Sequence, residues 1–337
     1  MTPILIGCPF DNGIQTMLRF RRGITGAADA PKAILKAFNQ YFAAKYSLSQ
    51  TMLPLKEYNI ATTATNKDEE GVLRQQQQAT EMAQQMISTS LQAICQQGHL
   101  PISIGGDHSL TYPLCRGVHQ AHPKQRLGMI YIDAHLDMRP LERYGSVNGV
   151  ISSGNSFRQL IKTNIIDGQN MVAIGIYPTS SELFRQLSQF AYQQGATIIY
   201  DYQCKLDRLS GIIAEAVALA STGTDGIYLS VDIDAVEASA APGVSAVAQV
   251  GLTVEQLLTI VRGITQQTKV VGFDVVEVSS RRHSWQSIFA GETLESEADK
   301  QAKLAQTATL AAQVIDCFLS ARPLYRTKSF SAETAPK

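Results

Sequence analysis

Leu127-Gly-Met-Ile-Tyr-Ile-Asp-Ala-His-Leu-Asp137 decides how this chain is read. An uncharged, largely apolar run leads straight into two aspartates and a histidine. A strand with one solvated face alternates apolar and polar residues. An unbroken apolar run suits a strand buried on both faces, as in a parallel sheet covered by helices. Residues i, i+2 and i+4 of an extended chain point the same way. Asp133, His135 and Asp137 are therefore expected to converge if the chain stays extended past the strand.

Working outward, further β-rich runs occur at Ile4–Cys8, Leu100–Ile104, Met171–Ile176, Thr197–Tyr200, Gly226–Asp232 and Lys269–Glu277. Amphipathic helical patterns lie between them. Residues 68–97 space Met82, Met86, Ile87, Leu91 and Ile94 by helical turns before Gly98. Thr253–Gln267 opens with a capping box, Thr253 and Gln256, and Glu295–Ala321 also reads as a helix. Alternating strands and helices predict an α/β fold of three αβα layers around a mainly parallel sheet. One domain over 1–321 is expected, followed by a polar tail over 322–337.

At 337 residues, with 45% hydrophobic and 17% charged side chains, the composition is that of a globular protein with a substantial core. Lys+Arg and Asp+Glu balance at 29 each, leaving no overall basic field to draw nucleic acid or an anionic membrane. A small-molecule substrate is the expected partner. The five cysteines are scattered with no CxxC pair, which predicts buried reduced thiols rather than disulfides or a zinc ribbon. The N-terminus lacks a signal-peptide pattern, and no apolar run approaches the ~18–20 residues needed to cross a bilayer. A cytoplasmic protein is expected.

Three strand ends carry the chemistry. Ile102-Ser-Ile leads into Gly105-Gly-Asp-His108, whose glycines are expected to permit a tight turn of unusual φ. Gly226–Val231 leads into Asp232-Ile-Asp234. In an α/β sheet, ligands bind beyond the carboxyl ends of the strands. Carboxylates crowded there would repel one another and suffer desolvation unless divalent cations neutralised them. The set His108, Asp133, His135, Asp137, Asp232 and Asp234 has oxygen and imidazole donors and no thiolate, which points to a hard or borderline ion such as Mn²⁺. Six ligands suit two metals sharing a water whose pKa they lower. A lone DxD or GGDH is as easily a cap or a turn; three such motifs at strand ends are not explained by packing. His99, His119, His122 and His283 lack such company and are expected at the surface or in ordinary hydrogen bonds.

These motifs, Gly105-Gly-Asp-His-Ser109, Asp133-Ala-His-Leu-Asp137 and Ser230-Val-Asp-Ile-Asp234, resemble the signatures of the ureohydrolase family of arginases, agmatinases and formimidoylglutamases. The resemblance starts at Arg22-Gly-Ile-Thr-Gly-Ala-Ala-Asp-Ala-Pro, similar to the family's glycine-rich lead-in, and runs to Val276-Glu-Val278. It implies an arginase-like fold, two Mn²⁺ ions, a homo-oligomer, and hydrolysis of a C–N bond in a guanidino or formimidoyl group. It further implies that His108, Asp133, Asp137 and Asp232 hold one ion and Asp133, His135, Asp232 and Asp234 the other. Asp137 is then the proton carrier, and Glu277 pairs with the cationic amidinium.

Within the family, Ser152-Ser-Gly-Asn-Ser-Phe-Arg158, Asp137-Met-Arg139 and Ala241-Pro-Gly-Val-Ser-Ala246 resemble formimidoylglutamases more than arginases or agmatinases. N-formimidoyl-L-glutamate bears two carboxylates, which arginine forks suit. Arg139, Ser153, Asn155, Arg158 and Glu277 are therefore the expected substrate contacts. A guanidino-acid, agmatine or arginine hydrolase, and a non-catalytic metal-binding member, are the alternatives.

Overall fold

The computed structural model describes residues 1–19, 25–60, 68–248, 250–280 and 296–323. Its strands are β1 (Thr2–Cys8), β2 (Ser49–Met52), β3 (His99–Gly105), β4 (Leu127–Ile132), β5 (Glu142–Tyr144), β6 (Val147–Val150), β7 (Ile166–Ile176), β8 (Thr197–Tyr200), β9 (Gly226–Asp232) and β10 (Val270–Val276). Eight form one sheet in the order β2-β1-β3-β10-β9-β4-β7-β8, with every neighbouring pair parallel. β5 and β6 make a separate antiparallel hairpin.

The helices are α1 (Asn12–Arg19), α2 (Ala30–Tyr41), α3 (Glu69–Gln96), α4 (Thr111–Ala121), α5 (Ser156–Lys162), α6 (Glu182–Gln193), α7 (Leu209–Ser221), α8 (Val254–Gln267) and α9 (Glu297–Ala321). Two hydrophobic cores separate them. Along β4, Ile130 and Ile132 join the core filled by α2, α7, α8 and α9. Met129 and Tyr131 join the other, filled by α3, α4, α5 and α6. This is the three-layer arrangement that the doubly apolar strands predict. Each fully buried Leu, Ile or Val contributes roughly 1.5–3 kcal/mol of transfer free energy, so the sheet's centre is its most firmly held part.

The capping box at Thr253 and Gln256 forms as expected. All five cysteines are free and buried. β2 has no counterpart among the strands expected from sequence, because Ser-Gln-Thr-Met is exposed along its length at the sheet edge and carries no apolar signal. The expectation that no apolar run approaches a membrane span needs correction, since α9 is long and apolar enough by length and composition. It lies against α2 and α8 as a core helix, which explains its apolar character. The lead-in stretch is described only from Thr25, while His283, Glu295 and the tail beyond 323 lie outside the described residues.

Candidate metal centre

Four adjacent central strands, β3, β10, β9 and β4, aim their carboxyl ends at one region. After β3 comes His108, after β10 Glu277, at the end of β9 Asp232 and Asp234, and after β4 Asp133, His135 and Asp137. His108 Nδ1 lies 3.2 Å from Asp133 Oδ2 and 3.1 Å from both Asp137 Oδ2 and Asp232 Oδ2. His135 Nδ1 lies 3.2 Å from Asp234 Oδ2 and 3.5 Å from Asp133 Oδ1. The six side chains thus form two ligand-like groups, one of His108, Asp133, Asp137 and Asp232, the other of Asp133, His135 and Asp234. Asp133 belongs to both. Asp232, which the resemblance implies in both sets, falls in the first only.

The convergence does not come from an extended chain. The backbone bends at Ala134 and His135, and Asp137 adopts a positive φ of 43°. Asp133 Oδ1 accepts the His135 amide at 2.6 Å and so curls the chain as the strand ends. Asp232 Oδ1 does the same for the Asp234 amide at 2.8 Å, and Asp107 Oδ1 for the Ser109 amide at 3.0 Å. All three strands therefore stop in one local motif, an aspartate side chain that mimics a turn. The glycines before His108 also act differently from expectation. Neither has positive φ. A Cβ on Gly106 would sit 1.8 Å from the Phe10 carbonyl oxygen, so close backbone approach is what requires glycine there.

Glu277 takes the unusual backbone instead, with φ 68°. Such a conformation costs about 1–3 kcal/mol for a non-glycine residue and is held by surrounding bonds. The Glu277 amide donates to Gly106 O at 2.8 Å, its carbonyl accepts from the Ser245 amide at 3.2 Å, and its Oε1 accepts from the His108 amide at 2.6 Å. Its Oε2 is buried and, among the described residues, makes no hydrogen bond of good geometry, although the Ser245 hydroxyl lies near the carboxylate. Asp133 Oδ2, although 3.2 Å from His108 Nδ1, and Asp234 Oδ1 likewise lack a well-formed hydrogen bond among the described residues. Buried oxygens left without donors beside two imidazoles are what a divalent cation would satisfy, and the donor chemistry fits Mn²⁺.

The electrostatics agree. Burial pushes the Asp232 carboxyl well above the carboxylate range, and the charges of Asp234 and Asp133 push it further. Burial and Asp137 raise Asp133. Burial and Asp107 hold Glu277 well above its ordinary value. Burial alone would depress His108, but its bonds to Asp133, Asp137 and Asp232 raise it well above 6.5. Asp234 is lowered, because pairing with His135 overcomes its burial. Without cations the cluster retains protons, and cations must displace them.

A cavity of about 510 Å³ opens on the cluster, lined by His135, Asp137, Asp232, Asp234 and Glu277. Its remaining wall holds Ile14, Leu183, Phe184, Leu187 and Val247, with Arg139, Ser153, Thr179 and Ser181 as polar points. Arg139 crosses Gly154 so closely that a Cβ there would meet its Cδ at 2.8 Å.

Two of the expected substrate contacts, Asn155 and Arg158, are not part of this lining, and both are engaged in local bonding. Asn155 Nδ2 donates to Val150 O, while its Oδ1 accepts from the Ser152 amide and from Gln159 Nε2. Its short polar side chain is consumed in capping the turn into α5. Arg158 Nε donates to Met138 O at 2.7 Å, and its guanidinium lies 3.6 Å over the Phe190 ring. That arginine ties α5 to the Asp137–Arg139 loop. The segment as a whole buttresses the cluster: Ser156 Oγ donates to His108 O, and Phe157 stands edge-on to the His108 ring at 5.0 Å while stacking on Tyr131.

Sequence reasoning misses Asp274, buried on β10. It accepts from Ser230 Oγ at 2.6 Å, Tyr228 OH at 2.9 Å and Thr111 Oγ1 at 3.0 Å. Its position, three residues before Glu277 inside an apolar strand, is the one signal the sequence offers.

A profile of the Arginase family matches residues 2–320. The chain is 31% identical to a mitochondrial agmatinase of Gallus gallus over 193 residues, 57% of this chain and 54% of that one. It is 33% identical to a formimidoylglutamase of Halalkalibacterium halodurans over 183 residues, 54% of each chain. These alignments span about half the length of those relatives. A crystal structure of formimidoylglutamase from Bacillus subtilis subsp. subtilis str. 168 superposes with a TM-score of 0.66 at 25% identity, covering 94% of this chain and 87% of that one.

Proposed function

The chain belongs to the arginase family, and from that premise we propose that it hydrolyses N-formimidoyl-L-glutamate to L-glutamate and formamide, a step of histidine breakdown, at a centre of two Mn²⁺ ions. His108, Asp133, Asp137 and Asp232 would hold one ion, and Asp133, His135 and Asp234 the other. Bound there, such a pair supplies charge to activate water and polarise the amidine.

The carrying observation is Glu277, whose buried Oε2 makes no well-formed hydrogen bond among the described residues and whose side chain lines the same cavity as Asp137, Asp232 and Asp234. A planar amidinium donates to such an oxygen through a charge-assisted hydrogen bond, which orients its carbon toward the cluster. Asp137, half in the cluster and half in the cavity wall, carries a proton from the attacking water to the leaving nitrogen. Arg139 on the lining recognises a substrate carboxylate and disfavours the second cation of agmatine.

The apolar wall of Leu183, Phe184, Leu187 and Val247 favours a second reading, a guanidino acid with one carboxylate on an alkyl chain. The product separates the two. With Mn²⁺ added, formamide from N-formimidoyl-L-glutamate is expected; urea from a guanidino acid and no formamide would reject the first reading. In the same assay Asp137→Asn should lower turnover by about 10²–10⁴-fold, and unchanged turnover would contradict its proton role.

A further inference from the structure

We propose that Asp274 is a positioning residue for the metal centre, acting through Ser230 to keep His108 in the tautomer whose Nδ1 is free to bind a cation. The inference rests on the two-metal reading above and deepens it.

The hydrogens along this chain of contacts can be assigned one by one. Asp274 and Ser230 are cross-strand partners on β10 and β9, and Tyr228, Ser230 and Asp232 follow one another at the two-residue repeat of one strand face. Asp274 Oδ2 accepts from the hydroxyls of Tyr228 and Thr111. An ionised carboxylate only accepts, so at Oδ1 the proton of the 2.6 Å contact comes from Ser230. That proton is then spent. The Ser230 oxygen, 3.1 Å from His108 Nε2, is left as an acceptor. Nε2 must therefore carry the hydrogen. Nδ1, which faces Asp133, Asp137 and Asp232, is then the nitrogen whose proton a cation displaces and whose lone pair it meets. A histidine ligand is ordinarily oriented in this way, its far nitrogen donating toward a hydroxyl or carboxylate.

Packing alone does not account for Asp274. It is fully buried, its partners are three neutral hydroxyls, and no salt bridge reaches it among the described residues. A buried carboxylate without a cation destabilises a fold. Positive charge at the cluster, on His108 or on bound cations, is what favours its ionised form.

The test uses the full chain stripped with a chelator and titrated with MnCl₂ alone, free Mn²⁺ being counted by electron paramagnetic resonance. Melting temperature is measured with and without the metal. In Asp274→Asn the amide nitrogen can donate to Ser230, turning the serine hydrogen toward His108 and favouring the wrong tautomer. In Ser230→Ala the acceptor is gone. Both variants are expected to bind Mn²⁺ about 10–100-fold more weakly than wild type. The metal-free melting temperature of Asp274→Asn should be unchanged or higher, because a buried charge has been removed. Wild-type affinity in both variants, with or without a lower metal-free melting temperature, would mean a packing role and overturn the proposal. If Asp274→Asn does not fold, Ser230→Ala decides alone. A wild-type chain that binds no Mn²⁺ would instead sink the metal-centre reading, and this inference with it.

Discussion

His108, Asp133 and Asp232 sit at the ends of buried central strands and expose almost none of their side-chain surface. Leu183, Phe184 and Val247, across the same cavity, are half-buried and come from α6 and from the loop after Ala241. The first group is held by sheet register, by aspartates that accept the amide two residues on, and by the buttress of Phe157 and Tyr131. The second is held by the packing of one surface helix and one loop. A change at a strand end disturbs several ligands together, because Asp133 serves both groups. A change in the wall touches one contact. Changes in the wall are therefore expected to alter what the cavity accepts without disturbing the cluster.

The contrast predicts a graded set of effects. Asp133→Ala removes the shared ligand and should cost well over the roughly 100-fold that loss of an outer partner costs, in both Mn²⁺ affinity and turnover. Retention of both metals would break the claim that the cluster acts as a unit. Glu277→Gln keeps the shape but loses the charge that, under the proposed function, would face the amidinium. A charged hydrogen bond is worth about 1.5–3 kcal/mol, so kcat/KM should fall roughly 10–100-fold with Mn²⁺ binding unchanged. Arg139→Met should raise KM about tenfold and leave kcat nearly intact, as loss of uniform binding does. An equal fall in kcat would move Arg139 from recognition to chemistry. Phe184→Ala, in the wall, should change kcat/KM by about tenfold or less and alter the ranking of substrates; a change as large as that at Asp133 would erase the contrast.

The smallest effect is on stability. Asp133, Asp232, Glu277 and His108 all have pKa values raised by folding in the metal-free state, against Asp234 lowered. A raised folded pKa gives stability that is present below the unfolded value and lost as pH rises through the folded one. For the carboxylates the loss begins above about pH 4, and for His108 above about 6.5. The metal-free protein should therefore lose melting temperature as pH rises above about 5, and added Mn²⁺ should restore more at higher pH than at lower. Calorimetry with and without chelator checks this, and a gap that narrows with pH would contradict the assignment of the raised groups.

Much of the fold and of the site is legible in the sequence. The run Leu127–Ile132 carries its own burial pattern, because a strand covered on both faces must be apolar at successive positions. The six acidic and imidazole residues stand out because they interrupt such runs where a parallel sheet exposes its carboxyl edge. Other features take their meaning only from the fold. Gly105 and Gly106 suggest a turn of positive φ, yet the close approach of Phe10 requires the glycine at 106, and that contact is made across the fold. Asn155 and Arg158 suggest substrate contacts, yet their partners, Val150, Gln159, Met138 and Phe190, are set by how α5 docks.

By itself, then, the amino-acid order determined the parallel α/β sheet, the strand ends and the ligand candidates, since each depends on patterns within a few residues. Only the tertiary structure decided which strand ends are neighbours, that Asp137 and Glu277 take positive φ, that Arg139 lines the cavity while Arg158 does not, and that Asp274 reaches His108 through Ser230. Each of those depends on contacts between segments far apart in the chain, whose distances and directions are fixed by packing and leave no local trace.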